Sequence, residues 1–127
     1  MIYSTNKERG NAGLAISIAY YGANGYTVCL PLNDTQDYDL IIERDGRLQK
    51  VQVKFTSYKS KYGVFEVALR SRGGNAMETY KTVRDSNADI LFVVTSDKTM
   101  YEIPVASILQ SSSLSMGKDK SEYLVEL

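Results

Sequence analysis

On either side of Asp45-Gly46 the chain alternates: Leu40, Ile42, Val51, Val53 and Phe55 fall on one face, Asp39, Gln52 and Lys54 on the other. A period of two is the signature of half-buried strands. Asp-Gly between two such runs specifies a type I′ hairpin, because both central residues of that turn need φ > 0. With Asp45 and Gly46 as the loop, Arg44 faces Arg47, which sets Asp39 opposite Gln52 and Asp37 opposite Lys54. The apolar face is assigned to the core.

Elsewhere the period changes. Thr5-Asn6-Lys7-Glu8 opens a helix predicted to residue 21 and closed by Gly22 and Gly25. Leu14, Ile18 and Tyr21 form its apolar stripe, and Glu8, Asn11, Ala12, Ala15 and Ala19 a narrow face of mostly small residues. Gly10 and Gly13 inside it point to close approach by another backbone or a ligand. Strands are predicted near 26–30, 37–44, 47–56 and 63–69, then a helix near 76–86 with Met77, Tyr80 and Val83 inward. A strand buried on both faces follows at 89–95, a short one at 99–103, and a brief helix from Pro104. Residues 111–120 are Ser-rich and expected to be mobile, with a small edge strand over 123–127. This order predicts an α/β domain over 1–110, a mixed β-sheet flanked by helices, with 111–127 as an appended segment.

Length and composition fit one soluble globular domain. No apolar run approaches membrane-spanning length and the first residues lack a signal-peptide core, so a cytoplasmic protein without membrane contact is expected. Histidine is absent and cysteine occurs once, which excludes Ser-His triads and zinc centres. Cys29, in the apolar run Tyr26–Leu30, is expected as a small buried hydrophobe. The net charge of zero conceals a block. Residues 44–84 carry ten basic against three acidic groups, while 1–43 carry two against five and 85–127 three against seven. A local basic block in a neutral chain matches a nucleic-acid footprint on one face, and equally a lysine-rich solvated surface.

Directly opposed strand residues have Cβ atoms about 5 Å apart, and diagonal ones about 7–8 Å, so Asp39, Gln52 and Lys54 converge. A carboxylate, a carbonyl oxygen and an ammonium suit Mg²⁺-assisted attack on a phosphodiester: the hard cation takes oxygen ligands, and a lysine holds or deprotonates water. On the hairpin alone the alternative stays open, an Asp37–Lys54 salt bridge on a solvated ribbon.

Helix-borne Glu8, Tyr38-Asp39-Leu40-Ile41, Val51-Gln52-Val53-Lys54, Ala88-Asp89-Ile90-Leu91-Phe92-Val93 and Tyr101-Glu102-Ile103-Pro104 together resemble the compact PD-(D/E)xK nucleases. Within that family the small members associated with group I introns are the most similar, with likeness to archaeal Holliday junction resolvases. The resemblance spans residues 5–108 and implies a restriction-endonuclease-like core in αβββαβ order. It implies a Mg²⁺-dependent DNA endonuclease, Mn²⁺ as possible substitute, possible intron-type homing activity, and a homo-oligomer, dimer or tetramer, on double-stranded DNA. A Holliday junction resolvase and a catalytically inactive DNA-binding module of the same fold are the alternatives.

Carried onto this chain, the resemblance makes Asp39, Glu8 and Gln52 the metal ligands and Lys54 the residue that positions water. Gln52 stands where the family usually has an acid, which implies one tightly held ion rather than two. Thr5-x-x-Glu8 also reads as a capping box, so Glu8 has a structural reading beside the ligand one. Phosphate contacts are expected from Lys59, Lys61, Arg70, Arg72, Asn75, Lys81 and Arg84, with Tyr58 and Tyr62 as candidate stacking residues.

Overall fold

The hairpin forms as its turn chemistry demands. In the computed structural model, which describes residues 5–33, 35–72 and 80–127, Asp45 and Gly46 take φ of 55° and 82°. They join β2 (Leu40–Arg44) to β3 (Arg47–Thr56) with Arg44 opposite Arg47 and Leu40 opposite Val51. Ahead of them stand helix α1 (Asn6–Ala23) and strand β1 (Thr27–Cys29), which pairs with β2. After β3 come β4 (Glu66–Ala68), β5 (Arg70–Arg72), β6 (Tyr80–Thr82), β7 (Ile90–Thr95), β8 (Met100–Pro104), β9 (Ser113–Ser115) and β10 (Leu124–Val125).

Six strands make one mixed sheet in the order β1-β2-β3-β7-β8-β10. Its one parallel pair is β3 with β7, which starts at Val51↔Ile90, so β3 changes neighbours at Val51. One face packs on α1 through Tyr21, Leu40, Ile42, Val51, Phe92 and Val94. The other face, with Leu91, Val93 and Ile103, packs under Val67, Leu69 and Leu114 of the small β4–β9 layer and its flanks. β7 is buried along its whole length, as its continuous apolar run requires.

Helix α1 is phased by a close contact. Gly13, Ser17 and Tyr21 are its buried residues, spaced four apart, and a Cβ on Gly13 would lie 3.2 Å from the Cβ of Phe55. The small-residue face expected from Ala15 and Ala19 is exposed, so the sheet-facing stripe differs from the predicted one. Gly10 has open space around it. Buried Ser17 satisfies its hydroxyl on Leu14 O at 2.7 Å, and Tyr21 donates to Glu102 Oε2 at 2.6 Å.

Several expectations are corrected. The helix near 76–86, the second α of the αβββαβ order, does not form over its described part. Tyr80–Thr82 is a strand paired with Arg70–Arg72, and Val83–Asp85 is a single 3₁₀ turn. Pairing partners outweigh a helical spacing carried by weak helix formers. The brief helix from Pro104 is only a 3₁₀ turn, Val105–Ser107. The Ser-rich segment is ordered: β9 pairs with β4 and buries Leu114, and β10 forms the predicted edge strand against β8. Cys29 is exposed, since β1 is an edge strand. Among the described residues, no helix is long and apolar enough to cross a membrane.

Candidate active site

Where β2 stops, Asp39 continues its pairing by other means. Its N–H donates to Val51 O at 2.8 Å, and its carboxylate Oδ2 accepts the Val53 N–H at 2.7 Å. The side chain thereby stands in for the next strand carbonyl and occupies one carboxylate oxygen. Although Asp39 reaches solvent, crowding by protein around its carboxyl raises the pKa above the ordinary value, and the Val53 N–H and the Lys54 charge offset that only partly.

Gln52 and Lys54 share a strand face, and their parallel neighbours there, Leu91 and Val93, are fully buried. The face expected to be solvated is therefore half covered. Burial lowers the Lys54 pKa, and the Asp39 charge pulls it up only in part. Gln52 Oε1 is shielded from solvent and has no hydrogen-bond partner among the described residues. A shielded carbonyl without a donor and an ammonium held out of water are both unfavourable in a structural role, and such arrangements concentrate at functional sites.

An open cleft runs between the first turns of α1, at Asn6, Arg9 and Gly10, and the second half of β3, at Lys54 and Phe55, with Tyr58 at its rim. Glu8 is not among the residues that line this cleft; it sits in the first turn of α1 and closes the helix start with the N-cap Thr5. Its N–H donates to Thr5 Oγ1 and its carboxylate accepts from the same hydroxyl, both at 3.1 Å. Among the described residues no three acidic or cysteine side chains come together as a cation site. The donors at hand are hard oxygens all the same: the second Asp39 oxygen and the unpartnered Gln52 carbonyl suit Mg²⁺ chemically.

The candidate DNA contacts divide. Lys59 and Lys61 are exposed in the loop after β3, each over an aromatic ring, Phe65 at 4.8 Å and Tyr62 at 5.2 Å. Tyr58 and Tyr62 are largely exposed. Arg70 is exposed on β5, and the backbones of Arg72 and Lys81 lie in the β5–β6 pair. Arg84 donates to Leu109 O at 3.0 Å and so ties two loops together. Asn75 lies outside the described residues. Sequence reading passed over Arg9, which shares the four-residue spacing of Gly13, Ser17 and Tyr21 and therefore faces the sheet. The signal existed in the spacing, but the helix phase it required is set by the Gly13–Phe55 contact.

Sheet order, with the acid at the end of β2 and the amide and lysine on β3, is that of a restriction-endonuclease-like architecture. The family model of PD-(D/E)XK endonucleases matches residues 4–122, and the chain belongs to that family. A solved bacterial homing endonuclease, I-Ssp6803I, is similar in fold with a TM-score of 0.81 at 23% identity, over 95% of this chain and 89% of that one. Comparison with curated proteins finds no match.

Proposed function

We propose that the protein is a Mg²⁺-dependent endonuclease that hydrolyses phosphodiester bonds of double-stranded DNA, of the intron-type homing kind, and acts as a homo-oligomer so that two sites reach both strands. Membership of the endonuclease family supports the reaction class, and the fold shared with a bacterial homing endonuclease suggests the biological setting. The observation that carries the site assignment is Gln52 Oε1, shielded and without a partner among the described residues, on the face that holds Lys54.

Asp39 and Gln52 would hold the ion, with Glu8 joining them by releasing the Thr5 hydroxyl, and Mn²⁺ would substitute for Mg²⁺. When bound, the ion polarises the phosphodiester and offsets developing negative charge. Asp39 contributes its free carboxylate oxygen while the Val53 N–H fixes the other. Lys54 orients the attacking water, and its lowered pKa suits it to accept that water's proton.

Supercoiled plasmid incubated with Mg²⁺ tests this reading. Wild type is expected to convert it to nicked and linear forms and Lys54→Ala to leave it intact, whereas equal cutting by both removes Lys54 from the mechanism. A second reading, a DNA-binding module that no longer cuts, is favoured by the neutral Gln52 and the lack of a three-acid cluster among the described residues. Calorimetric titration with Mg²⁺ separates the two: no binding heat with duplex affinity intact favours the module.

A further inference from the structure

We propose that Arg9 binds the phosphate next to the scissile one, so that the cleft between α1 and β3 receives two consecutive phosphates of one DNA strand. This rests on the nuclease reading above and assigns a further contact to the same site.

Helical spacing places Arg9 one turn before Gly13, where α1 comes so close to β3 that a Cβ would meet Phe55 at 3.2 Å. Arg9 therefore overhangs the second half of β3 and lines the cleft from the α1 side, while Lys54, also among its lining residues, belongs to the opposite face of the strand. Its guanidinium is only partly used. Nη1 donates to Asn6 Oδ1 at 2.9 Å, while Nε is shielded from water and has no acceptor among the described residues. A permanently charged group with an unused, desolvated donor is unfavourable in the free protein and is relieved by an acceptor that arrives from outside.

The chemistry of that acceptor follows from the surroundings. A permanent cation selects an anion, and the planar fork of a guanidinium matches phosphate oxygens two at a time. Among the described residues nothing lies within 4 Å of where a Gly10 Cβ would be, which leaves room for a nucleotide backbone. At the rim Tyr58, 64% exposed, offers a flat ring to a sugar or base.

The test is duplex affinity without cleavage, read by fluorescence anisotropy of a mixed-sequence 30-base-pair DNA in Ca²⁺ across a salt series. Arg9→Ala is expected to raise Kd on the order of tenfold at low salt and to reduce the slope of log K against log salt by about one. Arg9→Lys, which keeps charge but not the fork, falls between. Asn6→Ala removes the same intramolecular hydrogen bond and keeps the guanidinium, so its salt slope is expected to match that of wild type. A wild-type slope in Arg9→Ala, or an Asn6→Ala slope reduced as much as that of Arg9→Ala, overturns the assignment. A wild type without duplex affinity overturns the nuclease reading as well.

Discussion

The two halves of β3 obey different rules although they are one continuous strand. Arg47–Val51 is registered to β2 by a tight turn and carries exposed Arg47 and Leu48, with Lys50 half-buried over the Tyr38 ring. Gln52–Thr56 is registered only to β7, and there a lysine and an amide sit against fully buried neighbours. In the first half polar residues follow the pleat at little cost. In the second the same alternation places polar groups where solvation is incomplete, and that cost separates a site from a ribbon.

The widest separation between the halves is expected in cleavage. Lys54→Ala should lose plasmid cutting by about 10³-fold or more, while Leu48→Ala stays within about twofold, as gel quantification of supercoiled and linear DNA would show. Next in size is the turn. Gly46→Val forces a branched side chain onto φ of +82° with open space around it, so the cost is backbone alone, about 1–3 kcal/mol and several degrees in Tm. Cutting per folded molecule should be unchanged. Gln52→Glu is expected to tighten Mg²⁺ on the order of tenfold by calorimetry, since an added charge strengthens a hard-cation site.

The smallest effect lies in pH. For Lys54 the folded pKa is below its ordinary 10.5, so between those values the unfolded chain holds the extra proton and stability rises with pH. For Asp39 the folded pKa is above its ordinary 3.8, so the folded chain holds the extra proton and stability falls as pH rises through that window. Urea unfolding across pH should show Lys54→Met without the alkaline rise and Asp39→Asn without the acid-side fall. An unaltered profile in either variant would return that residue to an ordinary solvated position.

Much of this was legible in the chain because some of its signals are local. Asp45-Gly46 and a period of two define the ribbon register from Leu40↔Val51 to Arg44↔Arg47, and an unbroken apolar run identifies β7. Tyr80–Thr82 carries a helical spacing in the sequence, and its strand partner, Arg70–Arg72, is supplied only by tertiary pairing. At the site, Asp39, Gln52 and Lys54 were accessible from strand parity. The covering of their face by β4 and β9 was not, because Leu114 belongs to a Ser-rich stretch whose composition suggests no packing role. Glu8 and Arg9 differ by one position and hence by about 100° around α1. Only the seat of the helix tells which of them overhangs the cleft.

The missing side chain at residue 13 works as a fixed spacer between rod and sheet. Even an alanine there would ask Phe55 or α1 to give by a few tenths of an ångström, and a bulky residue would push α1 away and carry the guanidinium and carboxylate of the first turns with it, detuning a centre that the altered position never touches.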